Sequence, residues 1–112
     1  MTRVEEKPGI SEKVFESQVK SLAKQLNWAY YHTYRSTHSP EGFPDCVFVK
    51  GKRVIFAELK KDDCKTSQLS AEQYEWLSAL IEAGQEVYLW RPADFDNIVN
   101  ILLGITKKVP DE

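Results

Sequence analysis

The stretch GFPDCVFVKGKRVIFAELKKDD, residues 42–63, decides the fold of this 112-residue chain. Two apolar runs, DCVFV at 45–49 and RVIFAEL at 53–59, flank the short polar segment KGK at 50–52. Runs of β-branched and aromatic residues on either side of a glycine-containing turn predict an antiparallel hairpin. The first run opens on an acid and the second closes on ELK at 58–60. Charged groups are therefore expected at the end of the hairpin away from its turn.

The two carboxylates of this hairpin are predicted to lie at nearly the same height. Counting outward from Gly51, Asp45 is six residues back and Glu58 is seven residues forward. Alternate residues of a strand share a face, so Glu58 and Lys60 point the same way. The sequence leaves the pairing register open, and with it whether Asp45 shares their face.

This group of charges at the end of an apolar sheet has two interpretations. In the first interpretation, the group forms a site for a hard divalent cation, with Asp45 and Glu58 as ligands and the backbone carbonyl of Leu59 as a third. The metal would polarise a phosphodiester and lower the pKa of a bound water, while Lys60 positions that water or stabilises charge on the phosphate. Alternatively, Glu58 and Lys60 are a cross-strand charge pair at an exposed sheet end, and Asp45 is a turn residue after Pro44.

Five further elements surround the hairpin and give the order helix, three strands, helix, strand, helix. Strand 53–59, helix 70–83 and strand 86–90 form a βαβ unit with parallel strands. The expected fold is a single α/β domain, residues 11–104, in which a mixed sheet carries helices on both faces. Flexible tails are expected at 1–10 and 105–112. The elements outside the hairpin are a helix capped by Ser11 and stopped by Asn27, a strand at 28–34, a loop at 35–44, a helix capped by Ser70 and stopped by Gly84, a strand at 86–90, and a helix with Pro92 in its first turn.

Apolar residues at helical spacing predict the buried face of each helix. The three tryptophans also lie within apolar patterns and are expected in the core. The predicted faces are Val14, Phe15, Val19, Leu22, Ala23 and Leu26 in the first helix; Tyr74, Trp76, Leu77, Leu80 and Ile81 in the second; and Phe95, Ile98, Val99 and Leu102 in the third, with Trp28, Trp76 and Trp90 as the core tryptophans.

Composition is that of an ordinary globular protein. The chain is 42% hydrophobic and 12% aromatic, and no apolar run approaches the ~20 residues that a membrane span needs. The N-terminal segment is charged and lacks the apolar stretch of a signal peptide, so a cytoplasmic location and no membrane partner are expected.

Cys46 and Cys64 form no CxxC pair and are interpreted as reduced thiols.

Charge is distributed unevenly, although the formal net charge is only −2. Residues 50–65 carry six basic and three acidic side chains, whereas residues 66–112 carry three basic and eight acidic ones. A local basic patch can contact phosphates even in an acidic chain. Alternatively, Lys50, Lys52 and Arg53 are solvated residues of the hairpin turn.

Several motifs in order along the chain resemble the VRR-NUC family of the PD-(D/E)XK nuclease superfamily. They are YHT at 31–33, GFPD at 42–45, VIFAELK at 54–60, SAEQ at 70–73 and EVYLWRP at 86–92. The predicted order of helices and strands is also the family's order. The resemblance implies a restriction-endonuclease-like fold and metal-dependent hydrolysis of phosphodiester bonds, and the small stand-alone members resemble Holliday-junction resolvases.

The resemblance also implies roles for individual residues. Asp45 and Glu58 match the metal ligands of the family, and Lys60 matches its catalytic lysine. Gln73 matches the glutamine that opens the helix next to the site; it also fits a capping box with Ser70, and both roles are compatible.

The superfamily places one further acid on the first helix, for which this chain has two candidates. Glu16 fits the register of archaeal junction resolvases, and Glu12 fits the helix opening of VRR-NUC sequences. The two are four residues apart and share a helix face, so the sequence does not separate them, although Glu16 is preferred. DNA contacts are expected from the loop before Asp45 and from the basic segment after Lys60. The expected contact residues are His32, Arg35, His38, Lys61 and Lys65.

The sequence thus predicts a DNA endonuclease that uses Mg²⁺ or Mn²⁺ and selects branched structures. Resolution of four-way (Holliday) junctions by a homodimer, in the recombination or repair of phage DNA, is the preferred form, because two symmetrical cuts need two sites. The expected location is the cytoplasm of a bacterium or a phage-infected cell. Two alternatives remain open: a nuclease of the same fold that cuts flaps, single strands or RNA, and a non-catalytic DNA-binding module.

Overall fold

The structure is a computed structural model that describes residues 10–34, 38–62 and 68–105. Its elements follow the predicted order α-β-β-β-α-β-α. They are α1 (Glu12–Gln25), β1 (Ala29–His32), β2 (Cys46–Lys50), β3 (Arg53–Leu59), α2 (Ala71–Glu82), β4 (Glu86–Trp90) and α3 (Phe95–Leu103), with a short 3-10 turn at Pro92–Asp94 before α3. Both predicted tails, apart from residues 10 and 105, lie outside the described residues.

The four strands form one mixed sheet in the order β1-β2-β3-β4. The first three are antiparallel to their neighbours, and β4 runs parallel to β3. Lys50 pairs with Arg53, so the hairpin turn consists of Gly51 and Lys52. The βαβ unit and the mixed sheet predicted from the sequence are therefore both present. β1 is shorter than predicted, because beyond His32 the chain pairs no further with β2.

One face of the sheet carries the main core. Alternate residues of β2, β3 and β4 point to this face, where α1 and α3 cover them. The fully or almost fully buried residues of this cluster are Phe15, Val19 and Ala23 of α1, Trp28, Cys46 and Phe48, Ile55, Ala57 and Leu59 of β3, Trp90, and Ile98 and Leu102 of α3.

The opposite face is covered by α2, which confirms the prediction of helices on both faces. Phe43 packs edge-on against Phe56 of β3 and against Trp76 of α2, and Leu77 is buried. The predicted apolar face of α2 is wrong at two positions, since Tyr74 and Ile81 are 65% and 60% exposed. The helix covers a narrow sheet, so only the centre of its apolar stripe meets a partner.

The first helix shows a similar difference from its predicted face, because Val14 is 46% exposed. Its ends are as predicted: the Ser11 side chain accepts a hydrogen bond from the Val14 N–H. Asn27 has a φ of 68° and ends the helix in the left-handed region, which asparagine tolerates. Trp28 and Trp90 are in the core as predicted, whereas Trp76 is only half-buried. None of the helices in the described part of the chain is long and apolar enough to cross a membrane.

Candidate active site

The register of the hairpin brings the two predicted carboxylates together. Cys46 pairs with Ala57, so the next position outward places Asp45 opposite Glu58 on the same face of the sheet. This is the face away from the main core. Asp45 is fixed there by a hydrogen bond of 2.9 Å from the Leu59 N–H to its Oδ2. The structure therefore gives the pairing register that the sequence left open, and it places Asp45 and Glu58 on one face of the sheet.

Glu58 is a buried acid with one unsatisfied oxygen. Its side chain is 2% exposed, and Oε2 accepts a hydrogen bond of 2.8 Å from Gln73 Nε2. Oε1 is buried without a hydrogen-bond partner among the described residues. Burial and the neighbouring charge of Asp45 raise the pKa of Glu58 to about 8, although Lys60 acts in the opposite direction. Two carboxylates this close, one of them buried, favour either a shared proton or a bound cation.

Gln73 joins the start of α2 to the charged residues of β3. Its Oε1 accepts a hydrogen bond of 3.0 Å from the Ser70 N–H, and its own N–H donates to Ser70 Oγ, which completes the predicted capping box. The same Oε1 lies 3.4 Å from Lys60 Nζ. The cap and the contact with the carboxylate group are thus made by one side chain. Because the cap holds Gln73 in place, Gln73 in turn holds Glu58 and Lys60.

Gly42 allows the loop before Asp45 to lie against the start of α2. Its φ is +97°, and a Cβ built on it would lie 2.5 Å from the carbonyl carbon of Glu72. Two residues later, the Pro44 carbonyl accepts a hydrogen bond of 2.9 Å from Thr33 Oγ1. These contacts fix the loop on both sides and deliver Asp45 to the end of β3. In the motif GFPD, Gly42 therefore allows the close backbone approach, and Asp45 supplies the carboxylate.

Replacing Gly42 with Ala is expected to destabilise the fold and to displace Asp45. Gly51→Ala is the matched control, because Gly51 also has a positive φ, of +60°, but a Cβ there meets nothing within 4 Å. The strain of the left-handed region alone costs about 1 kcal/mol, and the clash at Gly42 should at least double that loss. Urea denaturation of both variants measures the difference. Equal losses in the two variants would contradict the close approach.

An open cleft of about 810 Å³ lies beside the paired carboxylates. Among the described residues, Asp45, Leu59, Gln73, Glu12, Glu16 and His32 border it, whereas Glu58 and Lys60 do not. The side chain of Leu59 belongs to the core, so its backbone is the part that faces the cleft. Two carboxylates, a backbone carbonyl and water form a ligand set that suits Mg²⁺ or Mn²⁺. Within residues 10–34, 38–62 and 68–105, no group of three His, Cys, Asp or Glu side chains is close enough to hold a metal.

The structure distinguishes the two candidate acids of α1. Glu16 is half-buried and lies within 3.1 Å of His32 Nδ1 and 3.2 Å of the Tyr30 hydroxyl. Glu12 borders the same cleft but is exposed. Tyr30 was not selected by sequence reasoning. Strand alternation was the available signal, since Tyr30 and His32 share a face of β1.

Of the remaining predicted DNA contacts, His38 and Lys61 lie on the exposed surface. Arg35 and Lys65 fall outside the described residues. Lys50 and Arg53 lie at the turn, the end of the hairpin opposite to Asp45. Lys50 Nζ donates to the Leu26 carbonyl at 2.7 Å, and the Arg53 guanidinium donates to the Glu86 carboxylate and to the Ile101 carbonyl. These two cations therefore hold the fold together, away from the cleft.

The fold matches two solved structures. A protein described as a VRR_NUC domain protein superposes with a TM-score of 0.65 at 18% identity, over 85% of this chain and 87% of the other. Hjc, a Holliday junction resolvase from Archaeoglobus fulgidus, superposes with a TM-score of 0.53 at 24% identity, over 71% and 69% of the two chains. Both are PD-(D/E)XK nucleases. This chain has their fold.

The predicted restriction-endonuclease-like fold is thereby confirmed. The resemblance inferred from GFPD and ELK is confirmed at the level of the fold, since identities of 18% and 24% carry no more than that. No family model and no curated protein matches the sequence.

Proposed function

We propose that the protein is a metal-dependent DNA endonuclease whose active site is the pair Asp45 and Glu58 with Lys60 and Gln73. The observation that carries this proposal is the buried Glu58, whose Oε1 has no hydrogen-bond partner among the described residues and whose pKa is raised to about 8. A buried carboxylate beside a second one is costly for a fold unless a cation joins them. The location at the strand ends, beside an open cleft, gives a substrate access to that cation.

A divalent cation such as Mg²⁺ or Mn²⁺ supplies, when bound, the Lewis acidity that polarises the phosphodiester and acidifies a water molecule. Asp45, Glu58 and the Leu59 carbonyl would hold it. Lys60, next to Gln73, donates hydrogen bonds to the attacking water or to a phosphate oxygen as negative charge develops there. The water loses a proton to solvent as its oxygen forms a bond to phosphorus, the bond to the leaving oxygen breaks, and the leaving oxygen takes up a proton. Gln73 keeps the Glu58 carboxylate and the Lys60 ammonium in register throughout.

Branched DNA is the substrate that we propose, with the four-way junction first. The similarity of fold to Hjc, a Holliday junction resolvase, supports this choice. One domain carries one such site, so two symmetrical cuts across a junction require a two-fold homodimer. Recombination or repair of phage DNA in the cytoplasm of the host is the setting that we propose for this activity.

A cleavage assay on four labelled substrates tests the substrate proposal. The wild-type protein would be incubated with a four-way junction, a flap, a plain duplex and a single strand, each with Mg²⁺, Mn²⁺ or EDTA. Paired symmetrical cuts in the junction, together with a dimer in analytical ultracentrifugation, are the expected result. Metal-dependent cutting of the flap or the single strand alone would keep the chemistry and exclude a resolvase. Binding of DNA without cutting of any substrate would indicate a non-catalytic module.

A further inference from the structure

The acid Glu16 accepts a hydrogen bond from Tyr30 of the neighbouring strand and lies close to His32 of the same strand. The Tyr30 hydroxyl donates to Glu16 Oε2 at 3.2 Å, and His32 Nδ1 lies 3.1 Å from the same oxygen. Both residues sit on the face of β1 that α1 covers. Within the described residues both contacts involve Oε2, which leaves Oε1 for a group in the cleft.

The Tyr30 hydroxyl also contacts a buried thiol. Cys46 Sγ lies 3.4 Å from the Tyr30 hydroxyl, and either atom has the geometry of a donor. Tyr30 has a single proton, which it gives to Glu16, so the thiol is the donor to Tyr30. The chain of donors runs from the core outward and ends on Glu16.

This arrangement favours Glu16 over Glu12, two acids that the sequence did not separate. Glu12 and Glu16 lie four residues apart on one helix, and both border the cleft. Only the latter lies at the height where Tyr30 and His32 meet α1. The contacts come from the sheet, which also carries Asp45 and Glu58. Glu16 is therefore fixed relative to Asp45, which borders the same cleft.

We propose that Tyr30 is a positioning residue of the nuclease reaction, whose hydroxyl holds Glu16 so that Oε1 accepts a hydrogen bond from water at the reacting phosphate. This inference rests on the proposed nuclease function. Tyr30 is not among the residues that line the cleft, so its effect on the reaction passes through Glu16.

A double-mutant cycle tests the inference on the substrate that the wild-type protein cuts. Tyr30→Phe removes only the hydroxyl and is expected to lower kcat about tenfold without changing KM, because one hydrogen bond to a charged group is lost. Glu16→Gln is expected to lower kcat further, about a hundredfold. In that background, Tyr30→Phe should cost nothing more. Tyr31→Phe is the matched control, because Tyr31 is 60% exposed and points to the opposite face. Glu12→Gln is compared with Glu16→Gln and is expected to lower kcat by less.

The possible outcomes separate this inference from the function on which it rests. If the wild-type protein cuts no DNA with any metal, the proposed function fails and the inference fails with it. If the wild-type protein cuts DNA but Tyr30→Phe lowers kcat equally in both backgrounds, or lowers stability alone, only the inference is overturned. A loss in Glu12→Gln that matches the loss in Glu16→Gln would overturn the selection between the two acids.

Discussion

Replacing Glu58 with Gln is expected to reduce DNA cleavage about a thousandfold while the fold remains intact. At the proposed site a bound metal would lose one of its two charged ligands, and the several kcal/mol of transition-state stabilisation that such a metal supplies correspond to a loss of that size. Glutamine has the same shape as glutamate, and its carbonyl oxygen can still accept the hydrogen bond from Gln73 Nε2. The measurement is the cleavage rate at saturating Mg²⁺ or Mn²⁺.

The same substitution is expected to change how stability depends on pH. The pKa of Glu58 is about 8 in the folded protein against an ordinary value of 4.5. The folded state therefore binds the proton more tightly, and metal-free wild-type protein loses stability as pH rises from 4.5 to 8. The slope from this group reaches at most about 1.4 kcal/mol per pH unit. Glu58→Gln lacks this loss, so thermal unfolding in EDTA should show a more stable variant at pH 8 and no such gain at pH 4.

Glu75→Gln provides the control for both measurements, because Glu75 is an exposed acid on α2. It should leave the cleavage rate and the pH profile of stability as they are in the wild type. Added Mg²⁺ or Mn²⁺ should stabilise the wild-type protein at pH 8 and have little effect on Glu58→Gln. Cleavage by Glu58→Gln at the wild-type rate would contradict the assignment of the site.

Replacing Lys60 with Met is expected to lower cleavage by about two to four orders of magnitude while metal binding persists. The substitution keeps an apolar stem of similar length and removes the ammonium that donates to water or phosphate. The two carboxylates remain, so stabilisation by Mg²⁺ or Mn²⁺ at pH 8 should remain too. Cleavage assays and metal-dependent thermal shifts on the same preparation measure the two effects separately.

Lys61→Met is the matched control, because Lys61 is the adjacent, exposed lysine. Its loss removes one positive charge from the surface and should weaken DNA binding modestly, more at low salt than at high salt. It should leave the rate at saturating DNA unchanged. Equal losses of rate in Lys60→Met and Lys61→Met would mean that Lys60 acts through general electrostatics. Loss of the metal-dependent thermal shift in Lys60→Met would mean that its role is to hold the metal site.

The part of the fold that sequence predicted best is the hairpin and the βαβ unit. Strand residues there are β-branched or aromatic on both sides of a short turn, and each element ends at a residue with a specific local role, such as Ser70 or Gly84. The faces of the helices were less predictable. Tyr74 and Ile81 have the spacing of a buried stripe, but burial depends on how wide a surface the sheet offers to α2.

The sequence named the residues of the candidate site but did not predict the contacts between them. The two-residue turn makes Asp45 and Glu58 face each other, and a turn one residue longer would have placed them on opposite faces. The contacts of the basic residues at the hairpin turn were not predictable from the sequence. Lys50 and Arg53 form part of a positive block in the sequence, yet their partners, the Leu26 carbonyl and Glu86, come from distant parts of the chain. Contacts between distant segments of this kind are set by tertiary packing, which local patterns do not encode.

The most direct test of the central claim compares the wild-type protein and Asp45→Asn in one cleavage assay. Both would be incubated with end-labelled branched DNA in Mn²⁺, in Mg²⁺ and in EDTA, and strand scission would be followed over time. The account predicts scission by the wild type only when metal is present, and a loss of about a thousandfold in Asp45→Asn with DNA binding retained. Scission that persists in EDTA, or that is equally fast in Asp45→Asn, would contradict it.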